Sequence, residues 1–236
     1  MDGKTNSKSR NSLKKLDKSY SKLRSEKFTD HNKERAFIFG DSKVRGIKFS
    51  MEESVYTKSY YKGGATISDR VLRSYVRQKM HFLKPIFIFW LGTCEMTRFY
   101  DRKNKYVELM PEIDIAINKI ILDYREFKSH ITSVKSDSRV IFLECPSYNI
   151  KTWNMRHGHE NPTFFNEQQD KLELAIKKYN HEIQELNEYE NPHLSEDMVH
   201  SYRYGKGKKK TGEYINYDLL EDGIHPGKKL NKLWIL

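Results

Sequence analysis

Six consecutive apolar residues, Ile86-Phe87-Ile88-Phe89-Trp90-Leu91, follow directly on Pro85. The run is too short for a buried helix and apolar on both faces of an extended chain, as a central strand of a parallel sheet must be. It is also far short of the roughly 20 residues needed to cross a bilayer. A strand buried on both faces needs helices above and below it, so the rest of the chain must supply alternating strands and amphipathic helices.

It does so in order. Ala36-Phe37-Ile38-Phe39 ends at Gly40 and reads as a first strand feeding a tight turn. Residues 55–61 alternate and stop at Gly63-Gly64, giving a second strand. Ile67, Val71, Leu72, Tyr75, Val76 and Met80 recur at helical spacing, with Ser68 or Asp69 as the cap. After the central strand comes a long helix carrying Ile113, Ile117, Ile120, Ile121, Tyr124, Phe127 and Ile131 on one face. A fourth strand, Val140-Ile141-Phe142-Leu143, is followed by a helix marked by Leu172, Ile176, Tyr179, Ile183 and Leu186. Residues 96–110, 145–165 and 190–217 read as loops, and a last helix starts near Lys228. The expectation is an α/β domain over residues 35–236, a three-layer α/β/α sandwich around a central parallel sheet, with ligands at the carboxyl ends of the strands. Residues 1–34, rich in Lys, Ser, Asn and Asp, read as a disordered basic arm.

Three segments of unusual composition fall at those carboxyl ends. Gly40-Asp41-Ser42 follows the first strand; a serine there can project its hydroxyl into a cleft, or simply cap a helix. Asp222-Gly223-Ile224-His225 precedes the last helix and can set an imidazole beside a carboxylate, the pair that takes a proton from a serine. Gly92-Thr93-Cys94-Glu95 follows the central strand, so Thr93 and Glu95 are expected on the substrate side of the same edge. Between the first and third, Lys62-Gly63-Gly64-Ala65-Thr66 lets the backbone approach a ligand and offer an N–H.

Taken together and in this order, the segments resemble the four blocks of the SGNH (GDSL-type) hydrolases. The resemblance covers about residues 36 to 236 and implies that fold, with a flavodoxin-like topology. It implies a serine ester hydrolase acting on a small acyl ester without metal or organic cofactor. Ser42, His225 and Asp222 would form the triad, and the Ser42 and Gly64 N–H groups would form the oxyanion hole together with position 94. This chain departs from the pattern at two places. Lys43 stands where a leucine usually follows the serine, and Cys94 stands where the family has an asparagine that donates to the oxyanion. A thiol is a poor donor. The second expectation, of a different class, is therefore a catalytically weakened SGNH fold used to bind nucleic acid or another polyanion. Esterase-like domains beside nucleic-acid-binding segments occur in some retroelement proteins.

Charge supplies the motive for that alternative. The net charge is +11, and residues 1–35 hold 11 Lys/Arg against 5 Asp/Glu. Such an arm attracts phosphate-rich partners or an anionic surface, although Leu13, Leu16 and Tyr20 give it little apolar area for a lipid. Residues 203–210 mix bases with flanking tyrosines, as single-strand binders do, and equally suit a solvated loop. Arg156-His157-Gly158-His159-Glu160 offers metal-type side chains with no matching distant pair, so a surface or cleft-rim role is expected and no metal. Two cysteines, Cys94 and Cys145, in no disulfide framework, suggest a reducing compartment. Without an apolar run in the first 35 residues, the expected location is cytoplasmic, with the nucleus open.

Overall fold

The computed structural model describes residues 35–50, 57–100, 105–188, 194, 196–204, 206 and 210–234. The arm expected over 1–34 lies outside the described residues, as do Val55 and Tyr56 of the expected second strand.

Four parallel strands form the sheet: β1 (Ala36–Gly40), β2 (Thr57–Tyr61), β3 (Ile86–Trp90) and the strand Arg139–Phe142. Because two short strands intervene in the chain, that fourth member is β6 in chain order, and the two between are β4 (Thr97–Tyr100) and β5 (Tyr106–Leu109). The sheet order is thus β2-β1-β3-β6. Helices connect the strands: α1 (Ser42–Ser50), α2 (Arg70–Lys79), the single turn α3 (Thr93–Met96) and α4 (Ile113–Val134), followed by α5 (Ile150–Arg156), α6 (Asn166–Leu186) and α7 (Lys228–Trp234). Asp69 caps α2 by accepting the Val71 and Leu72 N–H groups at 2.8 and 3.2 Å.

Alternate residues of the strands put one row of aromatic rings on one sheet face. Tyr60, Phe39, Phe89, Phe142 and Tyr124 stack in sequence, at centroid spacings of 5.4, 5.4, 5.4 and 4.5 Å. The register explains the row, since Phe39 pairs with both Tyr60 and Phe89, and Phe89 pairs with Phe142. Leu72, Val76 and the apolar faces of α4 and α6 bury this face. On the other face Val44 and Ile47 of α1 pack with Trp90, whose ring meets Trp234 of α7 edge-on at 5.3 Å.

The outer side of β6 has no fifth strand among the described residues. Side-chain amides of α6 and of its C-cap residue stand in for one. Asn187 accepts the Phe142 N–H and donates to the Phe142 carbonyl, at 3.0 and 2.6 Å, and Asn180 does the same for Cys145, at 2.8 and 2.9 Å. A carboxamide has the donor and acceptor of a peptide unit, so each satisfies a strand edge that would otherwise be buried unpaired.

Three segments expected as loops carry regular structure. β4 and β5 pair antiparallel within 96–110, and α5 occupies part of 145–165. Residues 190–217, expected to be irregular, contain an antiparallel hairpin of β7 (Val199–Tyr204) and β8 (Lys210–Ile215). The strand pattern was hidden there because residues 201–204 are exposed on both faces, so no apolar alternation marks them.

Candidate active site

Ser42 is placed by the end of β1. Gly40 must lack a side chain, because a Cβ would collide with the Trp90 carbonyl oxygen and the Val44 side chain. The chain turns at Asp41, and Ser42 opens α1. Asp41 is buried, and its Oδ1 accepts the Lys43 N–H at 2.9 Å.

The second half of the site comes from the loop before α7. Gly223 adopts φ +98°, and a Cβ there would sit 2.7 Å from the Asn149 carbonyl oxygen. The same carbonyl region holds the loop, since the Asn149 N–H donates to Gly223 O at 2.7 Å. The loop closes on itself through Glu221 N–H to His225 O, at 2.8 Å. Asp222 Oδ1 accepts the N–H groups of Ile224 and His225, at 2.9 and 2.8 Å, which fixes its carboxylate.

These two pieces meet. His225 Nε2 lies 2.8 Å from Ser42 Oγ, and His225 Nδ1 lies 2.6 Å from Asp222 Oδ2. Burial pushes the Asp222 carboxyl upward, but the hydrogen bonds from the His225 ring and from two backbone N–H groups outweigh it and hold the pKa at about 2. Asp222 is thus ionised at neutral pH and can fix the imidazole tautomer with Nδ1 protonated and Nε2 accepting. Ser42 and His225 open onto a cleft of about 680 Å³, lined also by Arg45, Gly46, Glu221 and Lys228.

Of the remaining expected residues, Gly64 stands at the same sheet edge with φ +71° and open space where a side chain would be. Its strand is tied to β1 by the Lys62 N–H donating to Gly40 O at 3.1 Å. Cys94 points its thiol toward Asp41 Oδ2, 3.8 Å away. Burial, with the Asp41 charge adding to it, pushes the Cys94 thiol up to about 12, so it is a neutral thiol and no nucleophile. Thr93 is buried, and its hydroxyl bonds the Lys43 ammonium. Glu95 faces inward, where its carboxylate accepts the N–H groups of Ile67 and Gly92 at 2.9 and 2.6 Å. Both therefore brace the loops behind the cleft.

Lys43 is the residue whose role the sequence alone did not disclose. It is 1% exposed, and its ammonium is paired with Asp41 and bonded to Thr93. Burial works to lower its pKa, but the Asp41 charge beside it leads the opposing effects and holds it above the ordinary lysine value. The departure from leucine was visible as a motif mismatch; that the cation would be internal was not.

The histidines of 156–160 are engaged separately. His157 stacks on Trp153 at 3.7 Å, and His159 meets Phe165 edge-on at 4.9 Å. Among the described residues no group of three His, Cys, Asp or Glu side chains is placed to hold a metal, and no helix is long and apolar enough to cross a membrane.

No family model matches the sequence, and no curated protein is similar to it. Some solved structures are similar to it. A Streptococcus pneumonia protein described as a platelet activating factor superposes with a TM-score of 0.50 at 13% identity, covering 95% of this chain and 93% of its own. A GDSL-like lipase from Parabacteroides merdae gives 0.46 at 8% identity, covering 86% of this chain and 94% of its own. A carbohydrate esterase gives 0.41 at 13% identity, covering 86% of this chain and 66% of its own. The fold is accordingly SGNH hydrolase-like, a four-stranded parallel sheet flanked by helices. At these identities the likeness is one of fold.

Proposed function

We propose that the protein is a serine ester hydrolase acting on a small acyl ester, with Ser42 as nucleophile. The observation that carries this is the continuous relay from Ser42 Oγ to His225 Nε2 at 2.8 Å and from His225 Nδ1 to Asp222 at 2.6 Å. Ser42 Oγ attacks the acyl carbon while His225 takes its proton; the imidazolium then gives that proton to the departing alkoxide. Asp222, ionised and held by three hydrogen bonds, stabilises the imidazolium without taking the proton. A water, deprotonated by His225, attacks the acyl-enzyme and releases the acid and Ser42. The N–H groups of Ser42 and Gly64 are the donors assigned to the oxyanion, and the neutral Cys94 thiol adds little to them. This predicts slow turnover, on the order of 10²–10³ below a site with a full third donor.

A fluorophosphonate probe tests the reading on the full chain. Wild type should be labelled at Ser42 and Ser42→Ala should not. A folded wild-type protein that resists the probe at high concentration would remove the nucleophile and the reading with it.

A further inference from the structure

The turn that carries the Gly64 N–H is not located by side-chain packing. Gly63 and Gly64 are exposed, and nothing lies within 4 Å of where a Cβ would stand on either. Their position is set by the two ends of the segment. At the first end the Lys62 N–H donates to Gly40 O at 3.1 Å, and the Ala65 N–H closes the turn onto Lys62 O at 3.1 Å. At the second end stands Ile67, which is buried. Its N–H donates to Glu95 Oε1 at 2.9 Å, and its carbonyl accepts from Arg73 Nε, also at 2.9 Å. Lys62 reaches Asp69 across the segment at 2.6 Å, but its ammonium is exposed and holds the turn weakly.

The other oxygen of the same carboxylate holds the neighbouring loop. Glu95 Oε2 accepts the Gly92 N–H at 2.6 Å, at the start of α3, the turn that carries position 94. Gly92 adopts φ +106°, and a Cβ there would come within 3.0 Å of the Tyr179 ring, so only glycine lets the loop lie this close to α6. The Tyr124 hydroxyl lies 3.4 Å from both carboxylate oxygens and accepts from the Tyr179 hydroxyl at 3.2 Å. An ionised carboxylate is acceptor-only on both oxygens, so it can serve two N–H groups at once. A carboxamide offers one acceptor and sets its own NH₂ against the second N–H.

From this we infer that Glu95 is the positioning residue of the turn assigned to the oxyanion, a clasp whose two N–H bonds together set Gly64 against the loop carrying position 94. Its catalytic consequence rests on the hydrolase reading. Opening the clasp displaces the oxyanion donors and leaves Ser42, His225 and Asp222 joined by their own bonds. Protonation opens it, because one oxygen then becomes a donor. Burial favours the neutral acid and raises its pKa to about 7; the Ile67 and Gly92 N–H groups oppose the rise, Asp41 adds to it and Lys43 opposes it. The other ionisable groups around the carboxylate are Tyr124 of α4, Tyr179 of α6 and the thiols of Cys94 and Cys145. Burial pushes all of these up, so they stay neutral below pH 9.

The test combines kinetics with amide NMR on the full chain. kcat and KM for a small aryl ester are measured from pH 5.5 to 9 in wild type and Glu95→Gln. Wild-type kcat should exceed the variant's by roughly 10- to 100-fold above pH 8, with KM changed less than about threefold. The ratio of the two kcat values should fall several-fold as pH drops through 7, whereas protonation of His225 slows both proteins and leaves the ratio alone. In the free wild-type protein the amide signals of Ile67, Gly92 and Gly64 should titrate together with a midpoint near pH 7, and in Glu95→Gln none should. Tyr124→Phe keeps the clasp and the ring stack on Phe142, and serves should Glu95→Gln not fold. Without the hydroxyl beside both oxygens, the amide midpoint, and the rise of kcat with it, should move to higher pH. A kcat ratio indifferent to pH, or a Gly64 signal that stays still while Ile67 and Gly92 titrate, would overturn the inference and leave the hydrolase reading intact. A protein inert toward esters whose three amides still titrate together would remove the hydrolase reading and uphold the clasp.

Discussion

At the scale of single residues, the candidate site differs from the pattern it resembles at two neighbouring points, and both involve Asp41. Lys43 brings a cation under the nucleophile turn, where it is paired with that carboxylate; Cys94 puts a thiol 3.8 Å from the same oxygen. A buried charge pair is costly to break from one side, because the surviving partner is left in low dielectric without compensation. The pair therefore holds the turn that carries Ser42, and Thr93 ties it to the loop carrying Cys94. On the proposed hydrolase reading, what the thiol withholds is a donor to the oxyanion. Cys94→Asn should restore one, raising kcat for a small aryl ester by roughly 10- to 1000-fold with little change in KM, because the added bond forms to the developing oxyanion. Steady-state kinetics of the two proteins checks this. A variant that is folded but no faster would show that position 94 does not face the reacting oxygen.

At the scale of elements, the chain's own side chains complete a sheet that has four strands among the described residues. Asn180 lies on α6 and Asn187 caps its C-terminal end, seven residues further on, so two helical turns bring both onto the face that meets β6. Their four hydrogen bonds satisfy the backbone of Phe142 and Cys145. Asn187→Ala leaves the N–H and the carbonyl of Phe142 buried together without partners, at about 1–3 kcal/mol for each group. Urea unfolding should therefore show a loss of about 2–6 kcal/mol, against less than about 1 kcal/mol for Lys177→Ala on an exposed part of the same helix. A loss no larger than that control would show the amide to be dispensable. None of this was legible from the sequence, where Asn180 and Asn187 read as polar positions in or just past an amphipathic helix. The hairpins were illegible for a related reason. β7 and β8 consist of exposed and half-buried residues whose rings pair across the strands, so they carry no apolar period for a sequence to display. Three of the four parallel strands, by contrast, were written plainly, since β1, β3 and β6 each place large apolar residues in a short run, while β2 (Thr57–Tyr61) showed only alternation ending at Gly63-Gly64.

At the scale of the whole molecule, the order of segments was readable because a parallel sheet forces it: each strand must be followed by a crossover, and each carboxyl end falls on one edge. That is why Ser42 and His225, 183 residues apart, could be expected in one crevice. The sequence could not say which polar residues at that edge face the cleft and which face inward, because both kinds follow a strand in the same way. Glu95 is the clearest case. Its carboxylate joins the segment after β2, through Ile67 N–H, to the segment after β3, through Gly92 N–H, with the Tyr124 hydroxyl of α4 at 3.4 Å. Burial raises its pKa to about 7, partly offset by those two backbone donors. An acid with a higher pKa folded than unfolded binds its proton more tightly in the native state. Its contribution to stability is therefore complete below about pH 4.5 and declines as pH rises toward 7, where it levels off. The shift corresponds to about 3 kcal/mol at most. Urea midpoints measured from pH 4.5 to 8 should therefore fall more steeply in wild type than in Glu95→Gln, whose side chain does not titrate, and the difference between the two should level off near pH 7. Parallel pH profiles for the two proteins would mean that Glu95 ionises freely in the native state and that the junction between the β2 and β3 loops admits water.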